Sequence, residues 1–129
     1  MPRLCSDLPP AGLLQGIDQF NAGDWFACHE TLEELWAGEP GDARRLYQGM
    51  LQVAVALHHW REGNFRGAMF LLGSAAELLA CVEPACQGVD VAALLRDAGR
   101  LRRALENLGP DRMAELDAAL IPQVRLTGE

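Results

Sequence analysis

Two short strings set the frame into which this chain must fold. Phe20-Asn21-Ala22-Gly23-Asp24-Trp25 and Trp60-Arg61-Glu62-Gly63-Asn64-Phe65 share one form: an aromatic, two residues, glycine, Asp or Asn, and a second aromatic. Glycine there supplies the positive φ that ends a helix and turns the chain back, and the flanking aromatics can pack across the bend. Each string therefore predicts a corner between two helices. Similar corners occur in tetratricopeptide hairpins, but an offset of 40 positions does not match that repeat's period of about 34. Two like corners within one bundle is the favoured reading.

The rest of the chain follows the same punctuation. Leu13, Leu14, Ile17 and Phe20 recur at helical spacing after Pro9-Pro10. A second helix is expected from about Trp25 to Trp36, a third from a cap at Asp42 to near Glu62, and a fourth from Phe65 to about Val82. Val91, Leu94, Leu95, Ala98, Leu101 and Leu105 form one stripe of a fifth, stopped by Gly109-Pro110, and Asp111 to Leu120 suggests a short sixth. Strand-like alternation is absent. The expectation is an all-α, compact bundle of five to six helices with antiparallel hairpins. It forms one domain over 1–129: an irregular arm at 1–10, a helical core at 11–108, and a short helix and tail at 109–129.

Charge narrows the partners. A formal net charge of -7 repels nucleic-acid phosphates and anionic membranes, so neither is expected. Arg96, Arg100, Arg102 and Arg103 are the one cluster able to make a local basic patch. No apolar run approaches the roughly 20 residues needed to cross a bilayer, and the N-terminus lacks a secretory pattern. These features point to the cytosol, where Cys5, Cys28, Cys81 and Cys86, with no C-x-x-C spacing, are expected to be free thiols. A four-cysteine zinc site is only weakly signalled without paired ligands.

The candidate chemistry lies on the second and third helices. At about 100° per residue, Trp25, Phe26, Leu32 and Trp36 share one face, with His29 and Glu33 between them, while Glu30 and Glu34 project to solvent. The third helix is apolar almost all round except for Arg45, Gln48, Gln52 and His59. An antiparallel pairing about residue 40 sets His29 level with Leu51 and Gln52, and Glu33 level with Tyr47 and Gln48. A carboxylate, an imidazole and two amides then meet in an apolar interface, as a buried polar cluster. It is either a closed hydrogen-bond network or a small-ligand pocket. The candidate catalytic pair is His29 and Glu33; the candidate ligand contacts are Gln48, Gln52, Trp36 and His59, the last about two turns away. These ligand types also suit a divalent metal, but no third protein ligand is identifiable and the cofactor is unknown.

Several mechanisms lack their minimum parts. His29-Glu30 opens like H-E-x-x-H, but Glu33 stands where the second histidine is needed. No Glu-x-x-His, G-x-x-x-x-G-K-[ST] or G-x-S-x-G occurs. Cys28 and His29 diverge by about 100° on a helix, so Cys28 reads as a small buried residue. Gly67, Ala68, Gly73, Ser74, Ala75 and Ala76 on the fourth helix allow close packing, within the bundle or against a second copy.

The string Phe20-Asn21-x-Gly23-Asp24-Trp25-Phe26-x-x-His29-Glu30-x-Leu32-Glu33-x-x-Trp36, then Tyr47-Gln48-Gly49-x-x-Gln52-x-Ala54-Val55-Ala56 and Gly63-Asn64-x-x-Gly67-Ala68, resembles domain-of-unknown-function family 309. The resemblance covers about the first two thirds of the chain and implies a compact all-α fold in prokaryotes with no assigned activity. The resulting expectation is a helical binding or scaffold domain with a small-ligand pocket. Its rivals are a small metal-assisted or acid-base enzyme, hydrolase-like, using Glu33 and His29, and a homo-oligomer or partner-binding module using Trp25 or Trp60.

Overall fold

The computed structural model describes residues 2–128. Five helices, α1 (Ala11–Asn21), α2 (Trp25–Trp36), α3 (Ala43–Arg61), α4 (Phe65–Ala80) and α5 (Val91–Leu108), pack chiefly on their neighbours in sequence. The all-α bundle is as the periodicity implies. Leu13, Phe20, Leu32, Leu46, Met50, Leu57, Leu72, Leu79, Leu94, Leu101 and Leu105 form the core, each less than 2% exposed or at that limit. Burial of side chains of this size contributes about 1.5–3 kcal/mol apiece. Among the described residues, no helix is long and apolar enough to cross a membrane.

The two expected corners are built alike. Gly23 and Gly63 have φ of 79° and 77°. Gly23 N–H donates to Phe20 O and Gly63 N–H to Trp60 O, both at 3.0 Å; Asp24 N–H donates to Gln19 O and Asn64 N–H to His59 O. The corners also touch. Arg61 donates to Gly23 O at 3.0 Å and its guanidinium lies 4.1 Å from the Trp25 ring, which meets Trp60 edge-on at 6.3 Å. Capping is less regular than expected. Asn64 Oδ1 accepts from Gly67 N and Asp90 Oδ1 from Ala93 N, but neither Asp24 nor Asp42 caps its helix with its side chain. Asp42 instead accepts from Cys5 N at 2.8 Å, drawn away by the arm.

That arm overturns the expectation of four free thiols. Arg3 N donates to Glu39 Oε2, Ala43 N to Arg3 O, and Gln87 N to Cys5 O, which brings Cys5 onto Cys86 in a disulfide. Cys28 and Cys81 remain free. Cys86 belongs to a small hairpin the sequence did not reveal, β1 (Ala85–Cys86) paired antiparallel with β2 (Val89–Asp90). Two-residue strands are too short to show alternation. Gln87 at its turn has a φ of 47°. Its backbone is held by Cys5 and its buried side chain by the Tyr47 hydroxyl, so an L residue tolerates the left-handed conformation.

The expected sixth helix is two 3-10 turns, Met113–Glu115 and Ala118–Leu120. The intervening Leu116 and Asp117 are extended, because Leu116 and Met113 turn into the core. Beyond them the tail is anchored: Val124 and Asn21 exchange two hydrogen bonds, Asp90 N donates to Arg125 O, and Thr127 N to Gly88 O.

Candidate functional site

A half-open cleft of about 340 Å³ lies over one face of α3. Gln48, Leu51, Gln52 and Val55 are spaced by three and four residues, so they stack along one stripe of α3 and form the floor. His29, Glu33 and Trp36, spaced likewise on α2, form one wall, and Leu71 of α4 contributes to the other side. A smaller recess of about 140 Å³, lined by Trp25, Phe26, His29, Val55 and His58, shares His29 and Val55 with it. The two make one groove.

His29 Nε2 stands 3.1 Å from Glu33 Oε2, one helical turn along. Their side chains are 32% and 52% exposed, which corrects the expectation of a buried cluster. The physical reason is the seam of α2: Trp25, Cys28 and Leu32 face the core, and Glu33 sits about 100° round from Leu32. The same rotation carries Phe26 outward, to 59% exposure, where its ring meets His29 and His58 at 6.0 and 6.2 Å. At such exposure an ion pair contributes little, below about 1 kcal/mol.

Deeper in the cleft two polar atoms lack partners. Gln52 Oε1 and Trp36 Nε1 are buried and make no hydrogen bond among the described residues. An unmade hydrogen bond at a buried polar atom costs about 1–3 kcal/mol, and Trp25 Nε1 in the adjoining recess and Gln19 Oε1 of α1 are in the same state among the described residues. The indole of Trp36 is further held by Arg44, whose guanidinium lies 5.4 Å from its ring.

Of the sequence candidates, His29, Glu33, Gln48, Gln52 and Trp36 line this one cleft. His59 does not. Its Nδ1 faces Asn64 Nδ2 at 3.3 Å at the α3–α4 corner, and a Cβ on Gly67 would come within 2.9 Å of its ring. Tyr47, expected level with Glu33, is turned into the core instead and donates to Gln87 Oε1 at 2.7 Å; burial raises its phenol above the ordinary range. Trp25 and Trp60 are not exposed aromatics: Trp25 is 3% exposed and Trp60 donates from Nε1 to Met113 O at 3.0 Å. Phe26 and Phe70, at 59% and 75%, are the exposed rings. Burial, with a smaller contribution from Asp24, pushes the Cys28 thiol up to about 12, so it stays protonated and unreactive at neutral pH.

For a metal, His29 and Glu33 would need a third ligand. Among the described residues no three His, Cys, Asp or Glu side chains are grouped to hold one. The arrangement offers hydrogen bonding, an imidazole beside a carboxylate, and an apolar floor.

Comparison with known proteins fits this frame. Residues 13–71 match the family described as Domain of unknown function (DUF309), a stretch that contains both corners and every residue of the cleft. The uncharacterized protein YpuF of Bacillus subtilis (strain 168) is 33% identical over 101 residues, 77% of this chain and 55% of that protein. An uncharacterized protein of Aquifex aeolicus (strain VF5) is 39% identical over 46 residues, 35% of this chain and 14% of that one. The chain thus spans about half the length of the first relative and a small part of the second.

Proposed function

We propose, for a chain whose residues 13–71 match DUF309, that the groove over α3 binds a small polar molecule. Its occupant would donate a hydrogen bond to Gln52 Oε1, rest an apolar body on Leu51, Val55 and Leu71, and meet His29 and Glu33 at the rim. The observation that carries this reading is that Gln52, whose amide oxygen is buried and unpartnered among the described residues, lines a cleft large enough for a ligand, since ligand pockets begin at about 300 Å³. The test is ligand-observed NMR with amine- and amide-bearing heterocyclic fragments against the wild type and Gln52→Leu. Saturable binding that the variant loses supports the proposal; fragments that bind both proteins alike, or neither, overturn it.

The 3.1 Å contact between His29 and Glu33 favours a second reading, an acid-base or metal-assisted enzyme in which the carboxylate orients the imidazole. Glu33→Gln should then abolish turnover of a bound compound while leaving its affinity nearly intact, and metal analysis of the purified protein tests the metal-assisted form. The exposed Phe26 and Phe70 favour a third, self-association, which light scattering would show as a dimer lost in Phe26→Ser or Phe70→Ser. A cytosolic setting belongs to this proposal only if the Cys5–Cys86 bridge escapes reduction there; Cys86 is 1% exposed.

A further inference from the structure

Every cation of this chain's side chains, histidines aside, is an arginine, since it contains no lysine. Three of the eleven line a single half-open pocket of about 600 Å³ between α5 and the tail: Arg96, Arg100 and Arg125. Arg96 and Arg100 are one helical turn apart on α5. Arg125 is brought opposite them by the tail, whose backbone is pinned by Asp90 N to Arg125 O at 2.8 Å and by the bridge from Val89 to Leu126.

The two acidic residues of the pocket do not use up these cations. Asp90 is turned to the start of α5, where its Oδ1 accepts from Ala93 N at 3.0 Å. Asp97 lies 3.6 Å from Arg96 Nε and 4.0 Å from Arg100 Nη1, both longer than the ~2.7–2.9 Å of a charge-assisted hydrogen bond. Arg96 and Arg100 are each 59% exposed, and Arg125 makes no side-chain hydrogen bond or ion pair within the described residues. Three planar donor forks thus line one space with most of their N–H groups unpartnered among the described residues, the arrangement that suits paired oxyanions. It stands out against a chain whose net charge is -7.

We propose that this pocket is a second binding site, for a small molecule carrying a diphosphate or comparable pair of oxyanions. The oxyanions sit between Arg96, Arg100 and Arg125, and Leu120, Ile121 and Pro122 offer an apolar ledge for whatever the anion is attached to. This site shares no residue with the groove over α3, so the two proposals stand or fall separately.

The test is an NMR titration of the whole chain with inorganic pyrophosphate and with ADP, at low and high salt. Both probes are expected to shift the amides of α5 and of 118–125 saturably and more weakly at high salt. Tighter binding of ADP would show that the ledge also holds its base, and equal binding that the anion alone is held. Arg100→Gln and Arg125→Gln, exposed changes that leave the core untouched, should each weaken binding about tenfold, ~1.4 kcal/mol. Asp97→Asn should tighten it, and Arg66→Gln on α4 should leave it unchanged. Absence of saturable shifts with either probe, or equal weakening by Arg66→Gln and Arg100→Gln, would overturn the proposal.

Discussion

The two long faces of α3 treat polar groups in opposite ways. On the inner face Tyr47 is fully buried, yet its hydroxyl is satisfied by Gln87, whose amide nitrogen reaches Leu4 O, while the arm beyond is tied down by Glu39, Asp42 and the Cys5–Cys86 bridge. On the outer face Gln52 is also withdrawn from solvent at its oxygen, but nothing among the described residues meets it. Buried polar groups in folded proteins are paired with protein or ordered water, or meet a ligand. The difference separates a structural network from a candidate site on the same helix, which neither residue's identity could do.

The Cys5–Cys86 bridge carries the largest expected effect on the inner face. Replacing both Cys5 and Cys86 by serine frees a loop of 81 positions and should cost about 2–4 kcal/mol in urea unfolding. An unchanged midpoint would mean that the arm's hydrogen bonds alone hold it. Tyr47→Phe comes next: it leaves Gln87 Oε1 buried without its donor and should cost about 1–3 kcal/mol by the same measurement.

A smaller, pH-dependent effect belongs to Glu39. The backbone N–H groups of Arg3 and Gly41, donating at 2.8 Å each, hold its carboxyl below the ordinary 4.5. A depressed pKa means that the folded state binds fewer protons, so this contribution is complete above pH 4.5 and is lost as pH falls through the lower folded value. The wild type should therefore exceed Glu39→Gln in urea midpoint at neutral pH, with the gap closing in acid. A gap that widened on acidification would remove Glu39 from the arm's anchoring.

Much of this contrast is legible in the amino-acid sequence. The corners could be read because a glycine with positive φ between aromatics is local chemistry, and the members of the cleft could be read because spacings of three and four residues on two antiparallel helices fix who faces whom. Burial could not. Whether His29 and Glu33 lie in the seam of α2 or on its rim turns on a rotation of less than 100°, set by Trp25, Cys28 and Leu32 docking against the rest of the bundle. Nor could the bridge be read. Cys5 and Cys86 lie far apart in sequence and meet only through backbone bonds of a segment with no periodicity. The polar stripe of α3 puts His59 among the ligand contacts, but Asn64 claims it at the corner.

Gln52 has no hydrogen-bond partner at its oxygen among the described residues, and the unfolding free energy of Gln52→Leu tests most directly whether it serves the fold. Removing an amide that makes no hydrogen bond, in favour of an apolar side chain of similar length, should leave stability equal to the wild type or raise it. A loss of more than about 1 kcal/mol would place Gln52 in the same kind of closed network as Tyr47 and contradict the reading of the cleft as a site.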